Sequence, residues 1–175
     1  MSDILGCPEV TLGEWGRELM ARLGGRRYPL SATFELTERC NLGCVHCFIN
    51  QPAASQPARS SEMTTGQVKD VFDQMAEAGV LFLTLTGGEI LIRTDFEEIY
   101  RYGRQKGFLL ALFTNGTLIT QRYAELFTEL RPQAIELTMY GATRETYEAV
   151  TQVPGSYDRF RRGVDLLLER KLPAS

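Results

Sequence analysis

The sequence predicts an α/β fold of parallel βα units, and three observations lead there. From Ala32 onward, short and nearly continuous apolar runs alternate with amphipathic helical stretches. Glycine, proline or a capping residue marks each change of period. The residues with unusual chemistry follow the strand-like runs, at the strand ends where parallel sheets collect their sites.

Taken in order, Thr11-Leu-Gly-Glu14 fits a capping box that opens a helix. Leu12, Trp15, Leu19, Met20 and Leu23 mark one face of it, and Gly24-Gly25 stops it. Ala32-Thr-Phe-Glu-Leu-Thr37 is the first strand, followed directly by a cysteine-rich segment. Gln51 to Ser61 is polar and proline-bearing and reads as a loop. Thr64 or Thr65 caps a helix that turns Val68, Val71, Phe72, Met75 and Ala76 inward and ends at Gly79. Val80–Thr86 is a buried strand, and Asp95 opens a helix carrying Phe96, Ile99 and Tyr100 to a stop near Gly107. Phe108–Phe113 is the third strand, and Thr120 caps a helix with Tyr123, Leu126, Phe127 and Leu130, halted by Pro132. Ala134–Met139 is the fourth strand. Two helices, Thr143–Val150 and Ser156–Arg170, broken at Pro154-Gly155, complete the chain. No internal sequence repeat accompanies this periodicity. Four parallel strands of this kind form either an open doubly wound sheet or part of a barrel.

Composition excludes several function classes. At 175 residues the chain can bury a core. Its net charge of −3 offers no basic surplus for nucleic acid. No apolar stretch approaches the roughly 18 residues that span a bilayer, and the N-terminus lacks the pattern of a signal peptide. The expectation is a cytoplasmic protein without membrane or nucleic-acid partners, in a compartment where clustered cysteines bind metal more often than they pair.

Three of the four cysteines fall within Cys40-Asn-Leu-Gly-Cys44-Val-His-Cys47. Such spacing lets three thiolates converge from one loop, one short of the four ligands of a closed zinc or electron-transfer iron–sulfur site. His46 adjoins Cys47, so ligation of one metal ion by both is strained, and Cys7 is distant and reads as an unpaired thiol. Gly43 eases folding of the loop into a nest of amides around cluster sulfurs. At the next strand end, Gly87-Gly88 allows close backbone approach and Glu89 supplies a carboxylate suited to an amine. Asn115-Gly116 follows the third strand and Thr138 ends the fourth; alone, the first is an ordinary turn and the second a routine strand residue.

Taken together, the cysteine spacing, Gly87-Gly88-Glu89, Thr114-Asn-Gly116 and the four βα units resemble the radical S-adenosylmethionine (SAM) enzymes, from about Tyr28 to Arg170. The resemblance implies a TIM-like (β/α)6 barrel of which only the first four units are present, with residues 1–30 as an N-terminal helical extension and residues 31–175 as the core. It also implies a four-iron–four-sulfur cluster on Cys40, Cys44 and Cys47, with SAM chelating the vacant iron. Gly87, Gly88 and Glu89 would meet the methionine amino group, His46 would lie near the adenine, and Asn115 and Thr138 would face the cofactor. The implied chemistry is a 5′-deoxyadenosyl radical abstracting hydrogen, with a reducing donor such as flavodoxin or ferredoxin. Glu136-Leu-Thr-Met-Tyr-Gly-Ala-Thr-Arg-Glu-Thr-Tyr-Glu-Ala-Val-Thr151, followed by Pro154-Gly-Ser-Tyr157, resembles the peptide- and cofactor-maturing branch, whose members often carry an auxiliary-cluster (SPASM-type) domain. A peptide substrate follows from that likeness. The arginine that related enzymes often place after the fourth strand to pair with the cofactor carboxylate is missing from Val150-Thr-Gln-Val153, which leaves Arg144 or an unseen residue as its substitute. The chain stops where a fifth strand would begin, so the fourth strand is expected to have an unpaired edge. A second chain could complete the barrel; a cluster-binding fragment without turnover and a zinc-bearing module are the competing readings.

Overall fold

A computed structural model describes residues 11–22, 24, 27–49 and 51–175. The expectations for Cys7, Leu23, Gly25 and the side chain of Leu12 lie outside the described residues. α1 (Leu12–Arg22) opens on the expected capping box, in which the Thr11 amide donates to the Glu14 carboxylate at 2.9 Å and the Glu14 amide donates to the Thr11 hydroxyl at 3.2 Å. Met20, expected on the inward face, is exposed; Trp15 makes the contact instead, edge-on to Phe82 with ring centroids 6.3 Å apart.

Strand β1 (Ser31–Glu35) is followed by two short strands, β2 (Arg39–Cys40) and β3 (Gln51–Pro52), which pair in parallel. The segment read as a loop therefore contains β3 and a helix, α2 (Gln56–Ser61). Ser55 caps α2, and Pro57 sits in its first turn, where its missing amide costs no hydrogen bond. Thr64, with Gln67, forms a capping box for α3 (Thr65–Ala78), which Gly79 closes in the left-handed region at φ 98°. Strand β4 (Phe82–Thr86), a single 3-10 turn at Ile90–Ile92 and helix α4 (Phe96–Gln105) come next. They are followed by β5 (Leu109–Thr114), α5 (Gln121–Glu129), β6 (Ala134–Leu137), α6 (Arg144–Thr151) and α7 (Ser156–Glu169). Asp95 and Thr120 occupy the N-cap positions of α4 and α5, but neither side chain caps its helix.

β1, β4, β5 and β6 form one sheet in sequence order, every neighbouring pair parallel. A doubly wound sheet reverses its order at a switch point; this sheet does not. Leu83, Leu85, Leu110, Leu112 and Ile135 share one core with Phe72 of α3, Phe96 and Ile99 of α4, Phe127 of α5 and Leu167 of α7. Thr33, Thr84, Ala111 and Ala134, which align across the four strands, stand on the opposite face, the one where Trp15 meets Phe82. The arrangement is a barrel wall: helices outside, a concave face of smaller and more polar side chains inside. Of the two folds left open by the periodicity, the partial barrel is the one formed.

The edge of β6 is not bare. Lys171 turns the chain at φ 50°, and Pro173–Ser175 run parallel to β6. The Ile135 amide donates to Pro173 at 2.7 Å, and the Leu137 amide donates to Ser175 at 2.8 Å. The expectation of an unpaired edge is corrected over this stretch, because burial of Leu172 brings the last residues onto the sheet.

Two arginines fasten the underside of the cysteine segment. Arg39 grips Glu62 through Nε at 2.6 Å and Nη2 at 3.0 Å, and also donates to the carbonyl of Ala53. Arg93 pairs with Asp95 and donates to the carbonyls of Leu36 and Met63, each at 3.0 Å. The Asp95 carboxylate, taken up by Arg93 and by Thr65, is unavailable to cap α4. Burial alone would raise the Glu62 carboxyl, but the Arg39 guanidinium and Thr37 hydroxyl outweigh it and hold the group below its ordinary value of 4.5.

Two outcomes are expected in denaturant unfolding. Phe72, fully buried and edge-on to Phe34 and Phe108, should cost about 3–5 kcal/mol when changed to Ala. A carboxyl with a lowered folded pKa adds stability above its unfolded value, and that stability disappears as pH falls through the folded one. Glu62→Gln should therefore lower stability at neutral pH and shrink the loss seen on acidification below about pH 4.5; an unchanged difference between pH 7 and pH 3.5 would remove this pair from the acid response.

Candidate functional site

The cysteine segment is held from two sides by backbone. Toward the sheet, the Gly88 amide donates to Thr37 at 2.7 Å and the Glu89 amide donates to Arg39 at 2.9 Å. Gly87 has φ +139°, and a Cβ there would lie 2.2 Å from the Thr37 carbonyl oxygen; one on Gly88 would lie 2.4 Å from that of Arg39. The two glycines thus admit another stretch of this chain, where the sequence suggested room for a ligand. Toward the helices, the amides of Gly43 and Val45 donate to Thr151 and Val150 at the end of α6, at 2.9 and 3.0 Å. Cys40 is fixed against β4, and the turn through Cys44 is fixed against the fourth βα unit.

Above the strand ends opens a cleft of about 480 Å³. Cys40, Cys44, Cys47, His46, Gly87, Gly88, Asn115 and Thr138 all line it, which brings eight of the nine site residues read from sequence to one place. Its lining also includes Glu35, Phe48, Phe113, Glu136 and Tyr140, with no lysine or arginine among the described lining residues. None of the three cysteines is in a disulfide. Burial pushes the Cys40 and Cys44 thiols up from their ordinary value.

Glu89 is the ninth residue, and its carboxylate does not line the cleft. It is completely buried and accepts from the Leu91 amide at 3.0 Å, the Asn115 amide at 2.7 Å and the Thr114 hydroxyl at 2.8 Å. Burial pushes its pKa up, against the opposing pull of these donors. In this structure the carboxylate is taken up by these three donors and is not aimed into the cleft. Gly87 and Gly88 turn the chain sharply after β4, so Glu89 points back beneath the rim and ties the end of β4 to the end of β5.

Asn115 also differs from a simple ligand-facing amide. Its Oδ1 accepts from the Thr117 amide at 2.9 Å and the Thr117 hydroxyl at 2.6 Å; its Nδ2 lies 3.0 Å from Asn41 Oδ1 and 3.6 Å from Cys40 Sγ. The turn is no exposed hairpin turn: Gly116 sits at φ +75°, and its carbonyl oxygen would lie 2.3 Å from a Cβ on Gly163 of α7. Arg144, the substitute considered for carboxylate binding, is spent elsewhere. It forks onto Asp158 at 2.7 and 2.6 Å and stacks over Tyr157 outside the cleft.

Sequence reasoning gave no role to Asn41 or Arg39, and it placed Tyr140 and Thr117 at the strand ends without a role of their own. The Tyr140 hydroxyl lies beside the Cys44 thiol and Thr138, and its ring centroid lies 5.4 Å from that of His46. Burial, and then the neighbouring Cys44, raises its pKa well above the usual tyrosine value, so it remains a hydroxyl. Its place two residues after Thr138 was a usable signal, since alternate residues share a strand face. Asn41 gave no such signal, because its partners Thr117 and Asn115 lie 76 and 74 residues away in sequence.

Comparison with known proteins agrees with this geometry. A family model described as the radical SAM superfamily matches residues 34–175. The AdoMet-dependent heme synthase of Methanosarcina barkeri is 36% identical over 145 residues, 83% of this chain and 41% of that protein. The antilisterial bacteriocin subtilosin biosynthesis protein AlbA of Bacillus subtilis is 33% identical over 140 residues, 79% of this chain and 30% of that protein. Among solved structures, anSMEcpe with bound AdoMet aligns with a TM-score of 0.66 at 19% identity, over 82% of this chain and 42% of the other. Streptococcus suis SuiB bound to precursor peptide SuiA aligns at 0.62 and 17% identity, over 98% of this chain and 46% of the other. The chain spans less than half the length of these relatives. With its parallel barrel wall, its three-cysteine loop and a match over most of its length, the chain belongs to the radical SAM superfamily of enzymes, which use a four-iron–four-sulfur cluster and SAM.

Proposed function

We propose that this chain is the cluster-bearing part of a radical SAM enzyme that modifies a peptide. The observation that carries the reading is the convergence of Cys40, Cys44 and Cys47 with the Gly87–Gly88 backbone on one cleft at the ends of parallel strands. The donor set suits a cluster better than a single ion: among the described residues no three His, Cys, Asp or Glu side chains group closely enough for one metal ion. A cluster spreads its ligands over several irons and is bound by thiolates, with amide donors to the sulfurs. The Leu42 amide, 3.4 Å from Cys40 Sγ, and the Asn115 side chain supply such donors. This weighs against the zinc module.

In this reading Cys40, Cys44 and Cys47 hold the cluster, and the Gly87–Gly88 backbone, Thr138 and the exposed His46 border SAM. When bound, these groups supply one-electron reductive cleavage of the sulfonium carbon–sulfur bond and hydrogen abstraction by a 5′-deoxyadenosyl radical. The protein's part is to orient the reactants and to exclude water. The electron comes from an external low-potential donor of the flavodoxin or ferredoxin class, and a second chain or further sequence completes the barrel.

A peptide is favoured over a porphyrin, although a heme synthase is among the relatives. AlbA is named for bacteriocin biosynthesis, and SuiB was solved with its precursor peptide. Glu35 and Glu136 both line the cleft, and Glu35 aligns with Thr86 of β4 while Glu136 aligns with Phe113 of β5. A heme carries carboxylates of its own, and like charges across a binding surface are costly. Among the described residues no helix is long and apolar enough to cross a membrane.

After anaerobic reconstitution with iron and sulfide, the chain should bind about four irons. With SAM and a strong reductant it should form 5′-deoxyadenosine. Cys44→Ala should lose iron and drop product formation at least about a hundredfold, by removing a ligand; deoxyadenosine at the wild-type rate in that variant would sink the assignment, and zinc without acid-labile sulfide in the wild type would replace it. Gly88→Ala should destabilise the fold by about 1–3 kcal/mol and reduce iron retention, because its Cβ would enter the Arg39 backbone.

A further inference from the structure

We propose that Asn115 is a positioning residue for the cluster, whose side-chain amide is locked by Asn41 and Thr117 so that it donates to Cys40 Sγ and raises the cluster's reduction potential. The proposal rests on the reading above that the three cysteines hold a cluster.

The orientation of the amide follows from hydrogen-bond chemistry. The Thr117 backbone N–H can only donate, so the atom facing it at 2.9 Å must be the Asn115 oxygen. Nδ2 then faces the other way, toward Asn41 Oδ1 at 3.0 Å and Cys40 Sγ at 3.6 Å. The Thr117 hydroxyl gives its one proton to Asn115 Oδ1 at 2.6 Å, which leaves its oxygen to accept from Asn41 Nδ2 at 2.8 Å. The three side chains therefore close a ring in which every bond runs in the same sense, Asn41 to Thr117 to Asn115 and back to Asn41. In such a ring each bond polarises the next. Asn115 and Thr117 are buried and Asn41 is half-buried, so most of the ring is shielded from water. One of the two Nδ2 hydrogens is used within it, and the other is left for sulfur.

One-electron reduction of the cluster, with no bond broken, increases the negative charge on its sulfur ligands. An N–H donor stabilises that state more than the oxidised one, and hydrogen bonds to the sulfurs are a known lever on the potential. Cys40 already receives the Leu42 amide at 3.4 Å; Asn115 adds a second donor that side-chain substitution can remove without touching the loop backbone. The Asn115 backbone amide, which holds Glu89, is unaffected by such a change.

The test uses the full chain, reconstituted anaerobically with iron and sulfide and titrated with dithionite while the reduced cluster is followed by electron paramagnetic resonance. Asn115→Ala should keep about four irons and shift the reduction equilibrium about tenfold toward the oxidised form, a midpoint lower by about 59 mV for one electron. Thr117→Val, which leaves the amide but opens the ring, should shift it the same way by less. Loaded variants with the wild-type midpoint would overturn the proposal. If Asn115→Ala does not retain a cluster, Thr117→Val decides by the same criterion; failure of both to load would assign the ring a purely structural role and overturn the tuning role. A wild-type chain that takes up no iron and sulfide would overturn the underlying reading, a result distinct from an unchanged midpoint.

Discussion

The contact on which the site depends is backbone against backbone: Thr37–Arg39 lying on Gly87–Gly88 with no space for a side chain between them. Two amide-to-carbonyl bonds cross that contact, and the residue after Arg39 is Cys40, the first cysteine of the loop. Glycine at both positions is a steric requirement, since a β-carbon at 2.2 or 2.4 Å from a carbonyl oxygen can be relieved only by moving one of the two strands' exits. The position of Cys40 is thus set by the sheet itself. The rest of the loop inherits that anchor and gains a second from the end of α6.

Around this contact the polar groups are buried and matched. The Arg39–Glu62 pair lies under the loop, Glu89 lies beneath the rim, and the ring of Asn41, Asn115 and Thr117 lies beside the first cysteine. Buried polar groups stabilise a unique arrangement only when their partners are all present. Here a carboxylate with three kinds of donor, an amide with every atom engaged and a forked arginine meet that condition. The apolar core of Phe72, Phe96 and Phe127 sits on the other side of the sheet and supplies most of the stability against which these polar groups are ordered.

Much of the fold was legible because its signals are local. Thr64 with Gln67 and the left-handed Gly79 bracket α3 as the sequence suggests, and the alternation of apolar runs locates β4, β5 and β6 within a few residues. The cysteine spacing was legible for the same reason. What stayed hidden depends on direction or distance. That Glu89 follows a strand is visible, but the left-handed turn at Gly87 breaks the alternation that would say which way it points. Arg39 and Glu62 are 23 residues apart, and nothing in either neighbourhood marks the other. α2 hid inside a proline-bearing stretch because a proline in a first helical turn looks, from sequence, like a proline in a loop.

Because Glu89 is shared between two strand ends, these ends cannot move independently. A displacement of β4 would drag Thr114 and the Asn115 amide, and through the side-chain ring it would reach Asn41 in the loop. The cluster side of the cleft is therefore a stiff frame. At the tip of the loop the side chains of Val45, His46 and Phe48 are exposed, so these groups stand outside that frame even though the Val45 amide is tied to the end of α6.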